Sequence, residues 1–220
     1  VAGASGTAYA ERLVITRTVH ILGGYAGPPG WQRAIAVNTT TIDGQNGGPV
    51  VSFLAGNATL EGFTVTGGRS HMDGGGILIA GASPLISATT VVSNSASSGG
   101  GIAVFGGAAS IVSSAILSNT AQGGGGLLLA DGSTAAIRDT IVAGNLGYAL
   151  GGGILIVSGA APLIEGCTVS GNRAASGGGI QGFESAGLVT TSLIVDNRAD
   201  GGNGGGVGVV VDGCPPRIPL

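Results

Sequence analysis

The chain has 220 residues, and 47 of them are glycine. Its eight cationic residues are all arginine, and eleven acidic residues give a net charge of −3, which excludes a basic nucleic-acid-binding protein. With 43% hydrophobic and only 9% charged residues, the chain is too apolar for a disordered protein. No apolar stretch reaches the roughly 18 residues that cross a bilayer, so we expect no membrane-spanning helix.

Residues 1–56 form the first predicted unit, an irregular set of N-terminal rungs and a loop. Apolar residues at alternate positions predict two rungs, joined by a loop rich in proline and glycine at residues 27–31. Trp31, the only tryptophan, is expected to pack over the rungs or to cover the open end, with stacking on a sugar ring as the alternative. The sequence begins at Val1 without a charged leader, so we expect any signal peptide to have been removed or to be absent.

Residues 57–212 carry two repeated marks with a common period. The first mark is a run of three glycines followed by an aliphatic residue, and the second is an aliphatic residue three positions before an asparagine. The last glycines of the first mark are Gly76, Gly101, Gly126, Gly153, Gly179 and Gly206. The asparagines of the second mark are Asn94, Asn119, Asn145, Asn172 and Asn197. Both marks recur every 25–27 residues, which indicates one solenoid domain.

The pattern inside each repeat has a period of two, which is typical of β-strands. After the triple glycine, pairs such as Ile102 and Val104 alternate with their neighbours, and β-branched residues dominate. Glycine at this density would destabilise helices by about 1 kcal/mol for each internal position. The sequence therefore predicts an all-β chain in which two or three short strands per repeat form one rung of a parallel β-helix.

The same marks resemble those of a known family. The glycine run and the V-x-x-N mark are similar to the GGA-[ILV] and F-x-x-N repeats of polymorphic outer-membrane and autotransporter-type passengers, within the pectin-lyase-like superfamily. Residues 9–25, 41–44 and 62–67 are similar to the N-terminal rungs of large bacterial surface proteins with this fold. The resemblance implies a single right-handed parallel β-helix, here of about eight rungs, that is secreted or on the cell surface and has a role in adhesion or structure.

The constant repeat period also predicts the structural roles of the glycines and the asparagines in these two marks. The asparagines are expected either to bond amide to amide along the axis or to adopt a left-handed turn conformation. The glycines are expected where the backbone torsion φ is positive or where successive rungs leave no room for a Cβ atom. Both functions are structural, so we assign no catalytic residue to these columns.

Two groups of charged residues are candidate ligand-binding sites. Arg69, His71 and Asp73 interrupt a regular turn with the densest mixture of functional groups in the chain, the alternative being a solvated insertion. In one outward column, Arg138 and Glu165 should lie one rung apart. They form either a ligand site with the adjacent Asp139 or a plain surface ion pair.

A third group is a candidate metal site. The side chains of Asp196, Asp200 and Asn203 offer oxygen ligands of the kind that calcium prefers. We expect no other cofactor. The chain lacks the tandem GGxGxD repeats of calcium-binding β-rolls. Two histidines and many serines do not make a Ser-His-Asp triad.

Several outward positions are unexpectedly apolar. Examples are Ile141 and Leu193, four positions before an asparagine, Val195, two positions before one, and Leu128 and Leu155 after the glycine runs. Because contiguous apolar surface usually marks an interface, we expect either self-association through this outer strand face or a covering segment that this sequence does not include. The alternative is an error of phase at one turn.

The two cysteines and the C-terminal tail complete the prediction. Cys167 falls in a small inward column and is expected to be a buried thiol, whereas Cys214 lies in the tail at residues 213–220; a bridge between them stays open. Proline in that tail cannot extend a ladder. The sequence as a whole favours a non-catalytic extracellular scaffold or adhesin whose partners are glycans or surface receptors. The alternatives are a carbohydrate-active enzyme, either polysaccharide lyase or glycoside hydrolase, and a self-assembling fibre subunit.

Overall fold

The computed structural model describes residues 8–27 and 29–210, in which 27 short strands wind into a coil. The described part of the chain contains no helix. Numbered in chain order, the strands are β1 (Ala8–Ala10), β2 (Leu13–Ile15), β3 (His20–Leu22), β4 (Thr40–Asp43), β5 (Val51–Phe53), β6 (Thr59–Glu61), β7 (Phe63–Thr66), β8 (Ile77–Ala80), β9 (Leu85–Ser87), β10 (Thr90–Val92), β11 (Ile102–Phe105), β12 (Ser110–Val112), β13 (Ala115–Leu117), β14 (Thr120–Gly123), β15 (Leu127–Ala130), β16 (Ala136–Arg138), β17 (Ile141–Ala143), β18 (Leu146–Leu150), β19 (Ile154–Ile156), β20 (Leu163–Glu165), β21 (Thr168–Ser170), β22 (Arg173–Ser176), β23 (Ile180–Phe183), β24 (Leu188–Thr190), β25 (Leu193–Val195), β26 (Arg198–Asn203) and β27 (Val207–Val210).

The strands assemble into four parallel sheets that run along the coil. The first sheet has the order β1-β4-β7-β10-β13-β17-β21-β25, the second β2-β5-β8-β11-β15-β19-β23-β27, the third β3-β6-β9-β12-β16-β20-β24 and the fourth β14-β18-β22-β26. Each circuit of the chain visits the first, second and third sheets in turn and adds one level to each. The last six strands of the first sheet follow the regular period, which makes about six regular turns, slightly fewer than the eight rungs predicted. The first two sheets reach eight strands because two irregular N-terminal levels precede these turns.

The inward side chains stack in register and form a narrow core. Ile102 pairs with Leu127 and Leu127 with Ile154, and all three are fully buried, as predicted. On the first sheet, Ile116 and Val142 are aligned in the same way. Full burial of one such side chain stabilises the fold by about 1.5–3 kcal/mol. The core is therefore a set of apolar files, and each level contacts only its neighbours.

The triple glycines satisfy two different geometric demands. In the run that precedes β19, Gly151 has a φ of +58°, a conformation that costs glycine little. A Cβ atom on Gly152 would lie 2.4 Å from the carbonyl oxygen of Gly178, and one on Gly153 would lie 2.6 Å from that of Gly179. Both predicted reasons for glycine are confirmed, but they apply to different members of the run.

The asparagine column forms the predicted amide ladder. Asn145 Oδ1 accepts hydrogen bonds from the backbone N of Asn119 at 2.9 Å and from its Nδ2 at 3.1 Å. Asn145 Nδ2 donates in turn to the carbonyl of Ile116 at 2.9 Å and to Asn172 Oδ1 at 2.9 Å. The alternative, that the asparagine itself adopts the left-handed conformation, is wrong. The residue before it adopts that conformation, as Ser118 does with a φ of +52°.

The predicted buried thiol belongs to a second polar ladder, between the third and first sheets. Ser114 Oγ accepts from the backbone N of Thr89 at 3.2 Å and donates to the carbonyl of Val112 at 2.9 Å. Cys167 occupies the equivalent position and is buried, as predicted. Its Sγ donates to the carbonyl of Glu165 at 3.3 Å. Cys214 and the tail lie outside the described residues.

The N-terminal irregularity is an excursion between β3 and β4. The excursion packs against the side of the coil, because Arg33 Nη2 lies 3.2 Å from Glu61 Oε1 and Arg33 Nε donates to the carbonyl of Gly23 at 3.0 Å. Its guanidinium also lies 5.9 Å from the centre of the Tyr25 ring. Trp31 lies in this excursion. About half of its surface is exposed to solvent, so its side chain is not buried against the rungs.

Candidate ligand-binding cleft

A cleft of about 470 Å³ opens on the side of the coil, between the first and second sheets and near the N-terminal end. Its walls are residues 46–49 from one level and residues 69–73 from the next, and Leu78 of β8 lies between them. A volume of this size falls in the range of small-ligand sites.

The cleft follows from the lengths of the connections between the first two sheets. The connection is residues 11–12 at the first level, residues 44–50 at the second and residues 67–76 at the third. Each longer connection projects beyond the one below it, so the side of the coil has a step. The cleft lies under the overhang formed by residues 69–73.

The three residues of the first predicted ligand site all line this cleft. Arg69 and His71 are exposed, and Asp73 is partly buried. Backbone bridges to the level above hold the segment, with Arg69 opposite Ser95 and Asp73 opposite Ser98. The structure brings these three residues together as one wall of a concave surface. Their role in ligand binding stays a prediction.

Arg12 and its neighbours extend this surface and were not identified from the sequence. A smaller cleft of about 270 Å³ is lined in part by Glu11, Arg12 and Gln45, and it shares Gly47 with the larger cleft. Arg12 Nη1 donates to the carbonyl oxygen of Gly47. Only the contact between levels reveals this pair, because residues 12 and 47 belong to the irregular N-terminal unit, where no period aligns them.

The second predicted ligand site is an ion pair across two levels. Arg138 and Glu165 are paired in register, and Arg138 Nε lies 3.0 Å from Glu165 Oε2. Both side chains are roughly half exposed, so the pair contributes about 0–1 kcal/mol. Asp139 is an exposed, left-handed turn residue beside it, with a φ of +48°. The pair has the geometry of a surface ion pair, and its role in ligand binding stays a prediction.

The third predicted group, the candidate calcium site of Asp196, Asp200 and Asn203, stays a prediction. The carboxylate of Asp200 accepts hydrogen bonds from the guanidinium groups of Arg173 and Arg198, and these hold the pKa of Asp200 below its ordinary value, Arg173 contributing most. Asp196 is an exposed turn residue before Asn197, and Asn203 ends β26. A calcium ion needs six to eight oxygen ligands. Within residues 8–27 and 29–210, no three acidic, histidine or cysteine residues cluster as a metal site would require.

The apolar outer face is partly covered by the chain itself, which corrects one expectation. Leu128 and Leu155 point away from the coil interior, yet only 5% and 6% of their surfaces are exposed. They cluster with Ala103 and Leu150, because the segment before each triple glycine folds over the second sheet. A segment from outside this sequence was expected to cover them, but the fourth sheet and its continuation do so. On the first sheet, by contrast, Ile141 and Leu193 stay exposed.

No helix in the described residues is long and apolar enough to span a membrane.

The fold and cleft define an elongated parallel β-solenoid with polar ladders along its axis and a ligand-sized cleft on one side. The chain belongs to the right-handed β-helix family, because the model of the right-handed β-helix region matches residues 31–215. This match confirms the right-handed parallel β-helix predicted from the repeat. A search of curated proteins and a search of solved structures found no match.

Proposed function

We propose that the protein is a non-catalytic scaffold or adhesin, secreted or on the cell surface, that binds a glycan or a surface receptor in the cleft formed by residues 46–49 and 69–73. The observation that carries the proposal is the convergence of Arg69, His71 and Asp73 on that cleft, which lies on the side of an otherwise regular coil.

The polar groups of the coil support a scaffold role because they join level to level. The asparagine ladder, the hydroxyl ladder and the Arg138–Glu165 pair all run along the axis. Side chains committed to such bonds cannot rearrange around a substrate without breaking the stack. The protein therefore presents a fixed surface, which suits binding rather than a catalytic cycle.

A carbohydrate-active enzyme is the alternative from another class of function. A glycoside hydrolase needs two carboxyl groups flanking the scissile bond, about 5–9.5 Å apart. Three of the described acidic side chains, Glu61, Glu165 and Asp200, accept hydrogen bonds or salt bridges from arginine. Asp73 is the acidic residue among those lining the larger cleft. These placements favour binding over hydrolysis.

A self-assembling fibre subunit is a second candidate, favoured by three exposed apolar residues on the outer face of the first sheet. Ile141, Leu193 and Val195 are 48%, 59% and 38% exposed. Size-exclusion chromatography with light scattering at rising concentration tests this candidate. A growing mass that the double change Ile141→Ser and Leu193→Ser abolishes would support it, and a monomer at all concentrations would contradict it.

The binding proposal is tested with a glycan array and with assays for cleavage of the same polysaccharides. We expect binding that Arg69→Ala or His71→Ala weakens at least tenfold, with no unsaturated or reducing-end product. Arg17→Ala is the matched control, because it removes another exposed arginine that does not line either cleft. Catalytic turnover of any polysaccharide, or binding that the cleft variants leave unchanged, would contradict the proposal.

A further inference from the structure

The fourth sheet continues beyond its four strands toward the N-terminal end, where its edge borders the cleft. Isolated bridges join Thr120 to Ser95 and Ser95 to Arg69, and others join Gly123 to Ser98 and Ser98 to Asp73. Residues 69–73 are therefore the lowest level of this sheet, and the larger cleft lies directly below them.

Each junction between levels of this sheet repeats the same three hydrogen bonds. In the first, Thr120 N donates to the Asn94 carbonyl at 2.9 Å, and Ser95 N donates to that of Gly68 at 2.9 Å. In the second bond, a backbone amide donates to a carbonyl of the level above: Ala96 N donates to the Thr120 carbonyl at 3.1 Å.

One level down, the upward bond runs from Ser70 N to the Ser95 carbonyl at 2.9 Å. The third bond runs from Gln122 N to the Ser97 carbonyl at 2.9 Å, and from Ser97 N to that of Met72 at 2.7 Å. A strand below residues 69–73 would therefore find the Arg69 carbonyl as acceptor and the Met72 amide as donor.

The chain supplies substitutes for part of that missing strand. Arg69 N donates to the Gly48 carbonyl at 3.2 Å, which completes the first bond of the pattern. Met72 N donates instead to the hydroxyl of Ser70, two residues earlier, at 3.2 Å. Side-chain capping of this kind blunts a sheet edge that has no partner strand.

A strand below residues 69–73 would lie against an apolar side chain, Leu78, as the segments at higher levels lie against apolar side chains. There, segments of the fourth sheet cover an outward column of the second sheet that includes Ala103, Leu128 and Leu155. Leu78 is the next member of that column, paired with Ala103, and it lines the cleft together with Pro49. The level below continues the column with the polar Ser52.

We infer that the cleft binds an extended peptide segment of a partner protein, which adds to the fourth sheet as a parallel strand below residues 69–73. The peptide donates an amide to the Arg69 carbonyl and accepts from the Met72 amide in place of Ser70 Oγ. It places an apolar side chain against Leu78 and Pro49. Strand addition at an exposed edge is a general mode of peptide recognition.

This inference rests on the proposed binding function and specifies its ligand class. Continuity with the sheet points to a strand as the occupant, because the next three members of the same column, Ala103, Leu128 and Leu155, are covered by segments of the chain. Binding of a saccharide would depend on the polar side chains of the cleft and not on the backbone groups of Arg69 and Met72.

The probe is a peptide with the sequence of residues 144–150, acetylated, amidated and carrying a fluorophore. This segment forms β18, and its Leu150 packs on the apolar cluster in the intact protein. Fluorescence polarisation measures its binding to the full chain. The control peptide carries Gly147→Pro, which removes an amide at the position that stacks with Ala121 in the sheet.

The sharpest variant is Ser70→Ala, which removes the hydroxyl that occupies the Met72 amide. We expect the peptide to bind this variant about fivefold more tightly, since a competing hydrogen bond is lost. Met72→Pro removes the donor and should weaken binding at least tenfold. Ser110→Ala, on the outer face of the third sheet, is the matched control and should change nothing.

Hydrogen exchange provides a readout that does not depend on a variant's folding. In the wild-type protein, saturating peptide should slow exchange of the Met72 amide at least tenfold. The inference is overturned if neither the wild type nor Ser70→Ala binds the peptide, or if binding is indifferent to Met72→Pro and to Gly147→Pro in the peptide.

The two proposals fail in distinguishable ways. A glycan that binds through Arg69 and His71, together with no binding of the peptide, overturns the peptide inference and leaves the scaffold function standing. Turnover of a polysaccharide overturns the non-catalytic function, whatever the peptide does.

Discussion

Asn119 and Asn94 are joined by two hydrogen bonds across adjacent levels of the coil. Asn119 Oδ1 accepts from the backbone N of Asn94 at 2.9 Å and from its Nδ2 at 3.1 Å. The same pair of bonds recurs up to Asn197, and at its lower end the ladder receives the backbone N of Gly68 at 2.8 Å. One asparagine per circuit thus fixes the register of each level on the next.

Replacing an asparagine in the middle of the ladder should destabilise the protein. Asn145→Ala removes the acceptor of the buried Asn119 amide and the donor to the Ile116 carbonyl. Unsatisfied buried groups cost about 1–3 kcal/mol each, so we expect a loss of about 2–4 kcal/mol in the free energy of unfolding. Urea denaturation measures the loss. Asn57→Ala, at an exposed position, is the control, and an equal effect of both changes would contradict the ladder's role.

Two isoleucines separate the interior from the outer face. Ile154→Ala should lower the free energy of unfolding by about 2–5 kcal/mol, because the side chain is fully buried in the core file. Ile141→Ala makes the same chemical change at a half-exposed position and should cost less than about 1 kcal/mol. The two variants are compared by thermal and urea unfolding. A midpoint unchanged by Ile154→Ala, or by the harsher Ile154→Asp, would place that residue outside the core.

A single methyl group should disturb the stack at the middle glycine of a run. In Gly152→Ala, the new Cβ would lie 2.4 Å from the Gly178 carbonyl oxygen and 2.5 Å from that of Arg173. Overpacking of this kind costs about 1–3 kcal/mol. Gly30→Ala is the control, since its Cβ would meet no atom closer than 3.9 Å. Circular dichroism during urea titration distinguishes them, and equal stability of the two variants would argue against the close stacking.

The Cys167 thiol should be unreactive until the protein unfolds. Burial raises the pKa of this thiol, with the hydrogen bond from the Thr140 backbone as the main opposing effect. The proton is therefore held more tightly in the folded state. The stabilisation is fully present below the thiol's ordinary pKa, and it is lost as the pH rises through the raised value.

A Cys214→Ser variant isolates this thiol for measurement. We expect a thiol-specific disulfide reagent at pH 8 to label Cys167 only at the rate of unfolding, and we expect stability to fall as the pH is raised above the thiol's ordinary range. Rapid labelling of the native protein would contradict the inward placement of this column.

The core of the fold was predictable because stacking imposes the same demand at every level. A residue such as Ile102 must be apolar and Asn119 must bond to its neighbours, so the sequence repeats at both positions. The match of Arg138 with Glu165 followed from the same alignment. Wherever the period holds, counting along the chain is equivalent to moving up the axis.

The fourth sheet was not predictable in the same way. Its strands contain small and polar residues, as in Thr120–Gly123 and Arg173–Ser176, without the alternation of large apolar residues that marks a strand. They are ordered by packing over the second sheet. For this reason Leu128 and Leu155 read as exposed positions, although they are covered.

The cleft was predictable only in its chemistry. Arg69, His71 and Asp73 stand out by residue type, but the step that gives them an opposite wall depends on the short connections at residues 11–12 and 44–50. Those levels precede the regular repeat, so no alignment of columns places residues 46–49 below residues 69–73.

The central claim is that one circuit of 25–27 residues adds one level to a parallel stack. Double electron–electron resonance measures it directly with nitroxide labels at Leu193 and, in separate samples, at Thr64, Thr90 or Ala115. These residues occupy one outward column of the first sheet, successive levels of which are paired in register. At about 4.8 Å per level, the mean label separations should be about 24, 19 and 14 Å. Separations that do not fall in equal steps from Thr64 to Ala115 would contradict the stacked coil.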